Sequence, residues 1–216
     1  MSQTLMTLAA AAPLAAGWSL HSLWMRRRIE AARHDPLTGL STRDLFETCA
    51  PKLLKPGAAV MVIDLDGFKA LNDRHGHAAG DVALIESAHT LASWTAVLDG
   101  CVARLGGDEF ALVAPLQLPS DLPYELATLH ECLCEPFRFE DQEVTVGASL
   151  GAVLIGDGPV PPLEQLLRRA DEAMYAAKAV GGGWFIAPGT APALPTVNGR
   201  RAGRPGTGVD FEGGTL

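Results

Sequence analysis

The chain has few charged residues, and more of them are acidic than basic. Only 19% of its 216 residues are Asp, Glu, Lys or Arg, and the formal net charge is −8. Proteins that coat nucleic acid normally carry a strongly basic surface, because they must neutralise phosphates. The charge balance therefore argues against a nucleic-acid partner. It is compatible with a nucleotide substrate, since nucleotides usually arrive with a divalent metal.

Cysteine is also scarce. The four cysteines are Cys49, Cys101, Cys132 and Cys134, and their spacing fits neither a zinc site nor a disulfide framework. We therefore expect reduced, mostly buried thiols in a cytosolic domain. A metal or redox site at Cys132 and Cys134 is the weaker alternative, because it rests on the spacing alone.

Residues 5–25 lack any Lys, Arg, Asp or Glu. Such a run is long enough to cross a bilayer, for which roughly 20 apolar residues suffice. The three arginines that follow, residues 26–28, are typical of the cytoplasmic side of a span. We therefore predict that residues 1–28 form a hydrophobic helix that anchors the chain in the inner (cytoplasmic) membrane by a single pass, with the next domain in the cytoplasm. The alternatives are a cleaved signal peptide, although its cationic start is missing, and a soluble or dimerising helix in a cytoplasmic protein.

Residues 29–188 predict one domain of alternating strands and helices. The run AAVMVIDLD, residues 58–66, is apolar and ends on acids, as a buried strand does. The run CVARLGGDEFALVAP, residues 101–115, is typical of two strands joined by a tight glycine turn. Apolar residues that recur every three or four positions predict helices between the strands. We therefore predict an α+β fold, layered in the α/β manner, with a mixed central β-sheet flanked by helices.

Residues 189–216 are rich in Gly and Pro and poor in apolar periodicity. A segment of this composition buries too little apolar surface to offset the entropy of ordering it. We predict a disordered tail there and assign it no chemistry.

Acidic residues stand at the ends of two predicted strands. The first strand delivers Asp64 and Asp66 to its carboxyl end, and the glycine turn carries Asp108 and Glu109. If the hairpin pairs beside the first strand, these carboxylates converge and repel one another unless a cation lies between them. Hard oxygen ligands of this kind suit Mg²⁺, and two such ions roughly 3.5–4 Å apart would serve a nucleotidyl transfer. Solvated turn acids are the alternative.

The residues after Asp66 fit a nucleotide. Backbone N–H groups at Gly67 and Phe68 can bind phosphate oxygens, and Lys69 adds a positive charge. Asn72 and Asp81 form a polar pair around a Gly-His turn. An Asp accepts two hydrogen bonds from the N1–H and amine of guanine, which adenine cannot offer, so such a site selects GTP over ATP.

Five segments together resemble the GGDEF domain of diguanylate cyclases, in order and at the spacing of that family. They are DPLTGLSTR, VIDLDGFKALNDRHGHAAGD, RLGGDEF, ASLGAV and ADEAMYAAK. The match runs from about His34 to Gly183. The resemblance implies a sheet like the palm of nucleotidyl cyclases. It also implies that two GTP molecules are joined into cyclic di-3′,5′-GMP with release of two pyrophosphates.

The resemblance implies a metal and catalytic set. Asp64, the backbone carbonyl of Leu65 and Asp108 would hold two Mg²⁺ ions per site, with Mn²⁺ as an alternative. Asp108 or Glu109 would help to deprotonate the 3′-hydroxyl. Lys69 would stabilise the developing charge.

The resemblance also implies a substrate-binding set. Its members bind guanine or phosphates, or let the substrate approach the backbone. They are Gly67, Phe68, Asn72, His77, Asp81, Gly106, Gly107 and Lys178. Because one domain would hold one GTP, the resemblance implies that catalysis needs a homodimer.

Two departures from the family pattern stand out. Gly182 occupies the position where the family usually has an Arg, which implies the loss of one phosphate contact. The Arg-x-x-Asp motif for product inhibition is missing, since its positions hold Val97 and Gly100. We therefore expect no feedback through that site. The alternative to an active cyclase is a catalytically silent GGDEF module that binds GTP or a partner protein in signalling.

Overall fold

The structure is a computed structural model that describes Trp18, residues 21–25, Arg28, residues 33–188 and residues 212–214. The chain divides into two units, residues 1–34 and residues 35–216. In the first unit, residues 21–25 are helical, and the side chains of Trp18, Leu23 and Trp24 are exposed.

The predicted membrane anchor is contradicted. Most of residues 5–25 lies outside the described residues, and no helix within the described part of the chain is long and apolar enough to span a bilayer. The run satisfies the length criterion, but it is rich in weakly apolar Ala and contains Pro13, Gly17 and His21. The predicted inner-membrane localisation is therefore wrong, and no helix among the described residues supports the predicted membrane association.

A seven-stranded mixed sheet forms the centre of the second unit. Within the described residues, the strands of this sheet and of a separate hairpin are, in chain order, β1 (Ser41–Thr42), β2 (Ala58–Asp66), β3 (Cys101–Gly106), β4 (Glu109–Pro115), β5 (Phe137–Phe139), β6 (Gln142–Val144), β7 (Gly147–Leu154), β8 (Gly183–Ala187) and β9 (Glu212–Gly214). The order in the sheet is β1-β3-β4-β2-β7-β8-β9, and β5 and β6 form a separate hairpin. β1 with β3 and β7 with β8 are parallel pairs, while β2 is antiparallel to both of its neighbours.

Helices cover both faces of the sheet. They are α1 (Arg43–Cys49), α2 (Phe68–His75), α3 (His77–Val97), α4 (Leu122–Leu133) and α5 (Leu163–Ala179), with short 3₁₀ turns at Ala50–Leu53 and Pro119–Asp121. Successive residues of β2 alternate between the faces. Met61 and Ile63 pack in the cluster that includes α3 and α4, while Val60 and Val62 pack in the cluster that includes α1 and α5. The predicted mixed sheet flanked by helices is confirmed.

Gly151 sets how closely α5 approaches the sheet. A Cβ at this position of β7 would lie 2.0 Å from the carbonyl oxygen of Ala170 and 2.1 Å from the backbone nitrogen of Met174. Any larger residue would therefore push α5 away from β7. This contact fixes the distance between the sheet and α5, the helix that carries Lys178 near its C-terminal end.

Strand β9 falls within the segment that we predicted to be a disordered tail. Glu212–Gly214 pair antiparallel with β8, and Trp184 lies opposite Gly214. The other residues of 189–216 lie outside the described residues. A strand of three residues forms through backbone hydrogen bonds and leaves no periodicity in the sequence, which is why composition did not predict it.

The four cysteines are free thiols. Cys49, Cys101 and Cys134 are partly buried, whereas Cys132 is exposed on α4. The expectation of mostly buried thiols therefore overstates their burial.

Candidate active site

Two of the predicted acids converge at the carboxyl end of β2. Asp64 pairs in register with Glu109 of β4, and the backbone N–H of Leu65 donates to the carbonyl oxygen of Asp108 at 3.3 Å. Asp64 is buried and Asp108 is half-buried. Burial raises the pKa of Asp108, and the nearby charge of Asp64 raises it further. The hairpin of β3 and β4 thus pairs beside β2, as the sequence predicted, and it brings the carboxylates of Asp64 and Asp108 together.

Lys178 of α5 provides a positive charge among these acids. Its ammonium donates a hydrogen bond to Oδ1 of Asp64 and forms an ion pair with it. Burial alone would lower the pKa of Lys178, but the bond to Asp64 and the charges of Asp64, Asp66 and Asp108 raise it above its ordinary value. Three carboxylates therefore interact with one ammonium. Sequence reasoning placed Lys178 near phosphates and did not predict this contact.

Asp66 lies two residues after Asp64 on β2, and it has its own hydrogen-bond partner. The hydroxyl of Ser149 on β7 donates to both carboxylate oxygens of Asp66, at 3.0 and 2.8 Å. Burial raises the pKa of Asp66 despite this hydrogen bonding. A Cβ at Gly182 would lie 3.1 Å from Oδ2 of Asp66, so the position where the resemblance leads us to expect an Arg faces this carboxylate.

The glycine turn between β3 and β4 is held by an arginine. Gly106 and Gly107 have φ of +144° and +58°, which few side chains tolerate. Nε and Nη2 of Arg104 donate to the carbonyl oxygen of Gly107 at 2.9 and 2.8 Å, and Nη1 donates to Oδ1 of Asp35 at 3.0 Å. The hydroxyl and backbone N–H of Thr38 donate to the same oxygen of Asp35. Arg104 belongs to the motif RLGGDEF, but no local pattern in the sequence indicates this role.

The turn from β2 into α2 places the predicted phosphate binders. Gly67 caps α2 in the left-handed conformation with φ of +72°, and Phe68 is the first helical residue. The first turn of a helix presents N–H groups without intrahelical partners, and anions bind well there. Lys69 is exposed in this first turn. The predicted phosphate residues therefore follow directly on the acids at the end of β2.

The predicted guanine residues lie on α2 and α3, on either side of the turn at Gly76. Asn72 belongs to the last turn of α2, and His77 and Asp81 lie four residues apart on α3, where both are exposed. A Cβ at Gly80 would lie 2.1 Å from Oδ1 of Asn72, so α3 can lie against this side chain only where it has a glycine. Oδ1 of Asn72 is buried and has no hydrogen-bond partner among the described residues. Such an atom favours a ligand that brings a donor.

The oxygen atoms at the end of β2 fit a magnesium ion. The carboxylates of Asp64 and Asp108 and the carbonyl of Leu65 are hard donors, and Mg²⁺ in nucleotide sites uses one or two carboxylates plus phosphates and water. Within the described residues, no group of three or more His, Cys, Asp or Glu side chains could hold a metal by itself. The ammonium of Lys178 shows that the acids attract a cation. The donor set therefore fits an ion that arrives with substrate phosphates.

Comparison with known proteins identifies the chain's relatives. Residues 32–183 match the family described as "Diguanylate cyclase, GGDEF domain". An uncharacterised 19.3 kDa protein of Streptomyces ambofaciens is 44% identical over 164 residues, which are 75% of this chain and 87% of that protein. The diguanylate cyclase TpbB of Pseudomonas aeruginosa, strain UCBPP-PA14, is 39% identical over 155 residues, which are 68% of this chain and 35% of TpbB.

A solved structure has the same fold. The GGDEF domain of TpbB from Pseudomonas aeruginosa superimposes with a TM-score of 0.65 at 35% identity, and the match covers 72% of this chain and 94% of that one. The chain thus spans most of the isolated GGDEF domain but only about a third of full-length TpbB.

Proposed function

The chain belongs to the GGDEF domain family, and from this membership we propose that it is a diguanylate cyclase. In the proposed reaction two GTP molecules give cyclic di-3′,5′-GMP and two pyrophosphates. The observation that carries the proposal is the convergence of Asp64 and Asp108 at the end of β2, directly before the N-terminus of α2. Carboxylates beside a helix N-terminus supply a metal site next to a phosphate site.

The triphosphate is bound at the start of α2. Backbone N–H groups at Gly67 and Phe68 donate to phosphate oxygens, and the exposed side chain of Lys69 adds a positive charge. Lys178 reaches the same phosphates from α5. Gly182 offers no side chain here, so the chain binds the triphosphate with one cationic contact fewer than an Arg at that position would give.

The guanine base lies between α2 and α3. The buried Oδ1 of Asn72 accepts a hydrogen bond from guanine, and the carboxylate of Asp81 accepts from the N1–H and amine. His77 lines the same turn. Adenine lacks this donor edge and would leave the acceptors unpaired, so the site discriminates against ATP.

The chemistry is a nucleotidyl transfer. The 3′-oxygen of one GTP forms a bond to the α-phosphorus of the other, the bond from that phosphorus to pyrophosphate breaks, and Asp108 or Glu109 takes the hydroxyl proton. Asp64, Asp108 and the Leu65 carbonyl would hold Mg²⁺, which would supply Lewis acidity at the α-phosphate. A second reaction of the same kind closes the ring.

Two copies of the chain are needed for this reaction. One domain binds one GTP, so the 3′-hydroxyl of each nucleotide must reach the α-phosphate bound by the facing domain. We therefore propose a homodimer, at least during turnover. Because Val97 and Gly100 replace the residues of the product-inhibition motif, the proposed enzyme lacks feedback through that site.

The proposal is tested with the purified full chain, GTP and Mg²⁺, by assay of cyclic dinucleotide. Asp108→Asn removes a charge at the metal site, and we expect turnover to fall by at least about 100-fold. Glu131→Gln, on an exposed position of α4, removes a charge elsewhere and should leave turnover unchanged. A parent chain that binds GTP without product would be the silent module instead, and full activity in Asp108→Asn would refute the metal assignment.

A further inference from the structure

We infer that Lys178 acts as an internal counter-ion that keeps divalent metal out of the acid site until a nucleoside triphosphate is bound. The inference concerns the regulation of the proposed cyclase site and therefore rests on the proposed function. Its basis is the ion pair between the ammonium of Lys178 and Oδ1 of Asp64.

Lys178 bonds to a carboxylate that the proposed metal would need as a ligand. Asp64 is the most buried of the three acids, with 10% of its side chain exposed, and the oxygen that bonds to Lys178 is one of only two that it can offer. Asp66 and Asp108 also interact with the Lys178 charge. A divalent ion at Asp64 would lie beside this ammonium, and like charges at contact distance repel strongly in a partly buried site. Metal and Lys178 therefore compete for the same carboxylate.

The side chain of Lys178 is able to move away from Asp64. It is 43% exposed, although its ammonium is bonded to a buried acid. The residue lies one position before the end of α5, and Gly181–Gly183 follow closely in the chain. The four-carbon side chain can therefore change rotamer without disturbing the packing of α5 on the sheet. Its displacement costs the ion pair with Asp64.

A bound triphosphate supplies the negative charge that attracts Lys178 away from Asp64. The phosphates bound at the start of α2 carry several negative charges and attract the ammonium away from Asp64. The same phosphates add oxygen ligands that Mg²⁺ prefers. The nucleotide therefore removes the competing cation and completes the metal ligands, so metal and nucleotide bind with positive coupling. By linkage, metal raises the affinity for nucleotide by the same factor.

The test measures metal binding without nucleotide. The full chain is titrated with Mn²⁺ alone, and free Mn²⁺ is followed by electron paramagnetic resonance. Lys178→Met keeps the length of the side chain and removes its charge, and we expect it to bind Mn²⁺ on the order of tenfold more tightly than the parent chain. Lys178→Arg keeps the charge and should bind as weakly as the parent. Lys52→Met, at an exposed lysine outside the site, is the matched control and should also match the parent.

Further variants test whether Asp64 is the carboxylate that binds Mn²⁺, and they show whether a change in binding comes from misfolding. The tighter Mn²⁺ binding of Lys178→Met depends on the carboxylate of Asp64 that the substitution frees. Adding Asp64→Asn to Lys178→Met should therefore return Mn²⁺ binding to the level of the parent or below. Lys178→Gln should repeat the gain, and circular dichroism checks that each variant is folded. Equal or weaker Mn²⁺ binding by the folded Lys178→Met and Lys178→Gln variants would overturn the inference. Since no turnover is measured, this outcome is distinct from a failure to make cyclic dinucleotide.

Discussion

Arg104 connects Asp35 to the glycine turn that carries Asp108. Nη1 of Arg104 lies 3.0 Å from Oδ1 of Asp35, while Nε and Nη2 both donate to the carbonyl oxygen of Gly107. Asp35 is itself held by Thr38, and β1 pairs in parallel with β3 just beyond this loop. The loop before β1 therefore supports the turn whose acid faces Asp64, and Arg104 acts as a positioning residue.

Replacing Arg104 by Lys should loosen this turn. Lysine keeps the positive charge but cannot donate two hydrogen bonds to one carbonyl while it also reaches Asp35. We expect the free energy of unfolding to fall by about 1.5–3 kcal/mol, the range for hydrogen bonds that involve a charged group. Cyclic dinucleotide formation should fall as well, because Asp108 is less well placed. Urea unfolding and product assays measure the two effects.

The control for Arg104→Lys is Arg138→Lys. Arg138 is exposed on β5 and the same chemical change there should alter stability by less than about 0.5 kcal/mol. An Arg104→Lys protein with parent stability and parent turnover would show that the connection to Gly107 is dispensable.

Asp35 makes stability depend on pH in the acid range. Burial alone would raise the pKa of Asp35, but hydrogen bonds from Thr38 and the bond and charge of Arg104 outweigh it and hold the pKa below its ordinary value. The folded state then binds fewer protons than the unfolded state, so Asp35 stabilises the fold above the unfolded pKa of about 3.9. This stabilisation is lost as pH falls through the pKa of the folded state.

Asp35→Asn should therefore lower the free energy of unfolding at neutral pH, and its difference from the parent should shrink between about pH 5 and pH 2. Urea unfolding at a series of pH values measures this difference. Asp141→Asn, on an exposed turn between β5 and β6, is the control and should follow the parent at every pH. A constant difference for Asp35→Asn across the series would contradict the assignment.

The sequence predicted the parts of this molecule that local pattern determines. The apolar run of β2 ends on Asp64, and the glycine turn carries Asp108, so pairing the hairpin beside β2 was enough to bring the two acids together. The sequence alone could not predict the contacts that depend on how distant elements pack. Lys178 reaches Asp64 across 114 positions because Gly151 lets α5 lie on the sheet, and no local signal encodes this. Arg104 and Asp35 are likewise 69 positions apart.

Gly80 controls the position of Asn72, and its replacement should weaken GTP binding. In Gly80→Ala the new methyl group would lie 2.1 Å from Oδ1 of Asn72, so the side chain must leave its place. We expect the KM for GTP to rise on the order of tenfold, which corresponds to about 1.4 kcal/mol of binding free energy, with a smaller change in kcat. Steady-state kinetics and GTP titration measure the effect.

Gly156→Ala is the matched control for Gly80→Ala. Gly156 has an ordinary backbone conformation, and a Cβ there would meet nothing within 4 Å. Its kinetic constants should equal those of the parent. If Gly80→Ala binds GTP as tightly as the parent does, Asn72 is not the guanine ligand.

Gly151 determines whether α5 can hold Lys178 at the acids. In Gly151→Ala the methyl group would collide with the backbone of α5 at Ala170 and Met174, and a helix backbone cannot turn aside as a side chain can. We expect a loss of about 1–3 kcal/mol in the free energy of unfolding, measured in urea, as for other overpacked cores. Gly158→Ala, in open space, should be neutral. Because the displaced helix also withdraws Lys178 from Asp64, the folded Gly151→Ala protein should bind Mn²⁺ more tightly than the parent without nucleotide. Parent-like stability would mean that α5 and β7 are not in contact at Gly151.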